Sequence, residues 1–245
     1  MSQPASTRGA ASPRHSAVVR FTHWLTVLAF VALLVSGLEI LISHPRFYWG
    51  EVGNVMTRPL FTIPIPSSRD TVPTAYKYVM PDQNGWSRYL HFQAAWLVLF
   101  AGVLCFAASL WNGHFRRDLL PPADQRNWRA YRSVASRYLH RAPAPQDESR
   151  SYNVMQRTAY AAVIFILFPL MIWTGLAMSP AFTAVAPWAV EALGGRQSAR
   201  TLHFFVTDAL VLFFFTHIAM VYMAGFRSRM RAMITGNSST EGERE

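Results

Sequence analysis

The sequence predicts an all-α integral membrane protein, a bundle of four transmembrane helices. The 245-residue chain is 51% hydrophobic, and its apolar residues gather into four runs at about 18–41, 89–111, 158–178 and 202–226. Each run can cross a hydrocarbon core about 30 Å thick, which takes about 20 helical residues. None alternates apolar with polar residues, and backbone in lipid must satisfy its own hydrogen bonds, so helices are the expected spanning structure.

The elements follow in order. Residues 1–15 are polar and rich in Ser, Ala and Pro, and read as a disordered terminus. No cleavable signal peptide is expected, because the first apolar run is a full span rather than a short h-region. The first span is followed by a long external loop, 43–87, with HPRFYWG at His44–Gly50 and RPLFTIPIPSSRD at Arg58–Asp70. Loops of this size are functional or disordered, and the aromatics and prolines favour an ordered cap or partner surface. The second span contains the sole cysteine, Cys105, which excludes an intrachain disulfide and a Cys-x-x-Cys-His haem attachment. The loop 112–157 includes Asp124–Arg141, where Trp128, Tyr131, Val134, Ala135, Tyr138 and Leu139 recur at helical spacing among arginines. This pattern predicts an amphipathic helix lying on anionic lipid. A short external segment, Phe182–Leu193, carries Trp188 between the third and fourth spans, and 236–245 reads as a disordered polar tail. Residues 16–235 thus form one membrane domain.

The formal charge is +10, and its distribution speaks for topology rather than nucleic-acid binding. Of the 23 Lys and Arg residues, sixteen fall in Met1–Arg20, Asn112–Arg157 and Arg227–Glu245. The positive-inside bias places both termini and the central loop in the cytoplasm.

Four of the eight histidines fall in the spans: His23, His91, His203 and His217. His203 and His217 are fourteen residues apart on the fourth span. Fourteen steps of ~100° miss whole turns by about 40° and climb about 21 Å, so both imidazoles share a face at different depths. Span direction then sorts the four into an outer pair, His91 with His203, and an inner pair, His23 with His217. Ionisable groups at such depth need a reason to exist. Two stacked b-type haems, non-covalent and each held by two histidines, supply one. Zinc would call for Cys or carboxylate company and shorter spacings. His15, His44, His114 and His140 lie outside the spans.

Three of these histidines follow an arginine by three residues: Arg20 before His23, Arg88 before His91, and Arg200 before His203. Each pair shares a helix face, with the Arg a turn nearer water, where haem propionates should point. Gly37 lies fourteen residues after His23, at the outer level, and Gly102 eleven after His91, near the inner level. They are expected as notches that admit the macrocycle. Asp208 faces away from both histidines on its helix and is expected at a helix contact or subunit interface.

With these residues placed, the chain resembles the four-helix di-haem cytochrome b family, prokaryotic cytochrome b561-like membrane subunits of nickel–iron hydrogenase, formate dehydrogenase and thiosulfate reductase. The resemblance covers nearly all of Ser16–Gly225. It rests on RFTHW at Arg20–Trp24, YNVMQRTAY at Tyr152–Tyr160, TLHF at Thr201–Phe204 and FTHI at Phe215–Ile218. The stretch SGLEILISHPRFYWGE at Ser36–Glu51 looks most like the thiosulfate-reductase type. The resemblance implies a bacterial inner-membrane subunit passing electrons between quinone at the inner haem and an outer redox partner, a molybdopterin oxidoreductase for that type. By motif it implies quinone contacts at Asn153 and Gln156. Saturated bis-histidine iron implies electron transfer rather than substrate conversion by the chain itself. The alternatives are a stand-alone quinone-linked cytochrome and a histidine-based metal or proton transporter.

Overall fold

The structure is a computed structural model that describes residues 16–54, 56–64, 83–111, 121–140, 153–223 and 225–236. The ends expected as disordered (1–15 and 236–245, apart from Gly236), His15, His114 and the loop stretches 65–82, 112–120 and 141–152 lie outside the described residues.

Among the described residues, four helices are long and apolar enough to cross a membrane. The first, α1, is Ala17–Ser43, and its start is capped by Ser16, whose hydroxyl accepts from the Val19 amide. The second, α2, is Gln83–Trp111 and begins six residues ahead of the apolar run, because polar residues extend it without contributing hydropathy. A short helix, α3 (Trp128–Leu139), follows a 3-10 turn at Ala123–Gln125, so the expected amphipathic helix is shorter at both ends. The third span joins α4 (Val154–Ala162), a π-helical stretch Val163–Leu167 and α5 (Phe168–Ala177). Pro169 is the second residue after the π-helical stretch; lacking an N–H, it cannot continue the i→i−4 ladder, and the register shifts ahead of it. Two short helices, α6 (Pro180–Val185) and α7 (Pro187–Glu191), lead to the fourth span, α8 (Arg196–Met223). The fourth span therefore ends before residue 226. Gly225 takes φ +95°, a left-handed conformation that glycine adopts without strain, and α9 (Phe226–Thr235) starts afresh beyond it.

Packing pairs α1 with α2 and α5 with α8. Between α5 and α8 lie two buried clusters. One is Val163, Val206 and Leu210, flanked by Phe30, Phe168 and Phe213; the other is Ala177, Val190, Leu193 and Ala199. Much of the remaining apolar surface faces outward: Leu28, Val35, Phe100, Ile166, Leu212 and Phe215 are all exposed. Such a surface suits lipid and not water, and the chain is a multi-pass membrane protein.

The described part of the long loop is an ordered cap at the end where α1 finishes and α8 begins, the loop end. Its strands β1 (Arg46–Phe47) and β2 (Phe61–Thr62) pair antiparallel, and Phe47 and Phe61 stack at 4.7 Å with Phe204 of α8 alongside. The first amides of a helix have no partner within it. Here the loop supplies partners: Gly50 O accepts from Gln197 N (3.0 Å) and Ser198 N (3.2 Å), and Glu51 Oε2 accepts from Arg196 N (2.8 Å). Gly195 makes this approach possible, since a Cβ there would lie 2.7 Å from the Gly50 carbonyl carbon. The opposite end, where α1 starts and α9 lies, is the terminal end.

Candidate functional site

Local folding positions the loop-end histidines through two hydroxyls. On α1, Ser36 Oγ donates to Ala32 O at 2.7 Å and lies 3.0 Å from His91 Nδ1 of α2. On α5, Thr174 Oγ1 donates to Leu170 O at 2.7 Å and lies 3.0 Å from His203 Nδ1 of α8. A hydroxyl carries one hydrogen, so in both cases it accepts from the imidazole Nδ1–H. Each ring is thereby held in the tautomer whose Nε2 lone pair is free for a metal. Both hydroxyl residues are wholly buried.

A glycine follows each hydroxyl and makes room for the ring. A Cβ on Gly37 would lie 3.5 Å from His91 Cε1, and one on Gly175 would lie 3.4 Å from His203 Cε1. The two pairs of helices thus repeat one device: a Ser-Gly or Thr-Gly step on one helix seats a histidine of its neighbour. Ser36, Thr174 and Gly175 escaped the sequence reading, although the dipeptides Ser36-Gly37 and Thr174-Gly175 inside spans were a usable signal.

The four span histidines come together in twos. His91 and His203 have ring centres 6.3 Å apart at the loop end, and His23 and His217 have theirs 6.4 Å apart at the terminal end. These gaps also match a metal shared between the two rings. A metal–imidazole bond of about 2 Å, plus about 1 Å from nitrogen to ring centre, taken on both sides, sets about 6 Å between ring centres. Both pairs therefore fit one iron held between two imidazoles. Among the described residues no group of three or more His, Cys, Asp or Glu lies together, so each pair stands as a pair.

The terminal-end pair is held by packing. The His217 ring stacks on Phe213 at 5.9 Å and meets Tyr160 at 6.1 Å, while Trp24 lies edge-on to His23 at 5.5 Å. His217 Nδ1 is buried without a hydrogen-bond partner.

Two of the three arginines bind backbone carbonyls. Arg20 Nη1 donates to Ile234 O at 2.7 Å, at the last turn of α9, and Trp24 Nε1 donates to Met233 O at 3.2 Å. Arg200 donates to His44 O (2.8 Å) and Arg46 O and lies over the Phe47 ring, clamping the cap. Both thus satisfy carbonyls of distant elements. Arg88 is exposed. A polar cavity of about 310 Å³ lined by Glu51, Met178, Arg196, Gln197 and Arg200 opens one turn beyond His203 and Thr174. It could take the carboxylates of a macrocycle seated on the outer pair.

Asn153 and Gln156, expected as quinone contacts, form a capping box. Asn153 Oδ1 accepts from Gln156 N at 3.0 Å, and Gln156 Oε1 accepts from Asn153 N at 3.2 Å. Asn153 Nδ2 also donates to Tyr138 OH, and Tyr131 OH meets Thr158 Oγ1 at 2.7 Å, so α3 is docked onto the start of α4. These contacts account for both residues structurally. A Cβ on Gly102 would meet nothing within 4 Å. Asp208 sits exposed on α8.

A family model described as "Prokaryotic cytochrome b561" matches residues 14–236. A curated relative from Azospira oryzae, named "Putative protein-methionine-sulfoxide reductase subunit YedZ1", is 26% identical over 230 residues, covering 91% of this chain and 96% of that protein. No solved structure matches the chain.

Proposed function

Because the chain belongs to the prokaryotic cytochrome b561 family, a family of membrane haem proteins of electron transfer, we propose that it holds two b-type haems and links a membrane quinone pool to a redox partner at the loop end. The observation that carries this reading is the pair of matched histidine separations, 6.3 and 6.4 Å, each right for one iron between two imidazoles. His91 and His203 would hold the outer haem, and His23 and His217 the inner one. Haem iron with both axial positions taken by imidazole supplies one-electron transfer and leaves no position for oxygen.

The remaining work falls to the chain. Ser36 and Thr174 fix the outer imidazoles, Gly37 and Gly175 let their rings approach, and Arg196 and Arg200 offer cationic partners for propionates. The cap packs on the start of α8 through Tyr48 and Phe47 and leaves Trp49 and Met56 exposed on its surface. α8 spaces the two levels by fourteen residues, about 21 Å of rise, which covers most of a hydrocarbon core about 30 Å thick.

Orientation and partner complete the reading. The arginine excess favours a cytoplasmic terminal end, in the inner membrane of a bacterium, with the cap outside. The relative's name makes it a reductase subunit, which supports electrons leaving quinol for an outer partner; a molybdopterin oxidoreductase is the class proposed. The test is His217→Ala in the full chain. One haem should be lost and quinol-driven reduction abolished, while the outer haem still exchanges electrons from the cap side. Retention of both haems would overturn the ligand assignment.

A further inference from the structure

The bundle turns an acid towards lipid. Asp208 is exposed on α8, five residues past His203 and nine before His217, about 7.5 Å and 13.5 Å of rise from them. It stands near the middle of the span, on the side away from both histidines. An ionisable group at such depth is costly unless it finds a partner. Its own helix offers none. The residues a turn away on either side are Phe204, Phe205, Val211 and Leu212, all apolar. The hydroxyls of Thr207 and Thr216 donate to the His203 and Leu212 carbonyls, each at 2.8 Å.

The face around Asp208 has the spacing of a helix-packing seam. Phe205, Asp208, Leu212, Phe215, Ala219 and Tyr222 follow one another at steps of three and four residues, all exposed, within a stripe about 100° wide. Packing inside the chain uses other sides of α8: Val206 and Leu210 are buried against the third span, and Thr201 donates to Tyr48 O of the cap. Ala219 leaves room for a second backbone to approach between Phe215 and Tyr222. At the loop end the Phe205 ring meets Phe61 of the cap at 5.6 Å and is still half-exposed, so the cap borders the seam without covering it. Lipid accounts for the apolar members of the stripe and not for Asp208.

We propose that this face is the contact between two copies of the chain, related by a two-fold axis along the membrane normal that passes beside Asp208. Copies inserted in one membrane share an orientation, so an isologous contact of α8 with α8 sets each seam residue opposite its twin. No Lys or Arg lies within residues 21–43, 89–111, 158–178 or 202–226, so a second copy brings no cation to this depth. It brings the same carboxyl, and two carboxyls that share a proton across the axis satisfy each other. A single polar residue in an apolar seam also fixes the register, because any slide returns both acids to lipid. A foreign transmembrane helix with a donor of its own is the competing occupant. A second α8 is favoured because it supplies both halves of the contact from residues already in place.

The experiment uses the purified full-length protein, dye-labelled at a C-terminal tag, in phosphatidylcholine liposomes over a range of protein-to-lipid ratios, with stoichiometry read by single-molecule photobleaching. The wild type should pass from monomer to dimer as the ratio rises. Asp208→Leu suits lipid and should keep the wild-type helix content by circular dichroism. It should dimerise about tenfold more weakly, the scale of an interhelical hydrogen bond in a membrane. Asp208→Asn, whose amide can pair with its twin, should stay within about threefold of the wild type. In a Cys105→Ala background, Leu212→Cys should give a disulfide-linked dimer on mild oxidation, and Phe100→Cys, on the exposed side of α2, should not. A wild type that stays monomeric at every ratio would overturn the proposal. So would an Asp208→Leu variant that dimerises as tightly as the wild type, or linkage through Phe100→Cys and not through Leu212→Cys. A monomeric wild type that co-purifies with a second membrane polypeptide, lost in Asp208→Leu, would assign the face to a foreign helix and refute the two-fold contact.

Discussion

Thr174→Val tests how the outer pair is held. Valine keeps the shape of threonine in a site with no exposed surface, but it removes the oxygen that accepts from His203 Nδ1–H at 3.0 Å. The donor is then left buried and unmatched whenever the ring is held in its liganding orientation. Such an orphan costs about 1–3 kcal/mol, a factor of roughly 5 to 150 in affinity. Partners of this kind typically contribute about 10- to 100-fold to metal affinity, and the second axial ligand and the macrocycle contacts remain, so about tenfold is expected. The bond also makes the imidazole a better electron donor, which favours ferric iron, so its loss should raise the midpoint potential of that haem. The assay is the rate of haem transfer to apomyoglobin, together with a redox titration. One of the two haems should leave about tenfold faster and titrate at a higher potential, and Thr174→Ser should restore both. A variant with unchanged transfer rate and potential would refute the hydroxyl's role.

Two further outcomes follow from the same geometry. Gly175→Val places branched carbon where a Cβ alone would already lie 3.4 Å from His203 Cε1, so the ring must move; the outer haem should be lost and the inner one kept, measured as haem per chain. Asn153→Ala breaks the capping box at the third span and should cost about 1 kcal/mol, read as a lower thermal midpoint in detergent without loss of either haem.

The four spans were legible because lipid imposes a length and a composition that hydropathy reads directly; their ends were not. α2 and α8 begin in polar residues, and α8 stops at a left-handed glycine whose turn has no hydropathy. The pairing of His91 with His203 and of His23 with His217 could be read because helix geometry converts a fourteen-residue spacing into a shared face at two depths. The partners of Arg20 and Arg200 could not. Both reach backbone carbonyls more than 150 residues away, at α9 and in the cap, and no local spacing encodes that. Ser36 and Thr174 were hidden for another reason: a small hydroxyl in a membrane helix ordinarily bonds back to its own carbonyls, as both do here, and only the structure shows the second bond to a histidine. The capping box at Asn153 and Gln156 has a sequence signature, an Asn-x-x-Gln step ahead of an apolar run, that the sequence reading did not use.

The central claim is that each histidine pair holds one haem. The measurement that tests it most directly is the haem content of the purified full chain by pyridine haemochrome, taken with its low-temperature electron paramagnetic resonance spectrum. The account predicts two b-type haems per chain, both low-spin and bis-histidine. A single haem per chain, none, or a high-spin five-coordinate signal in intact protein would contradict it.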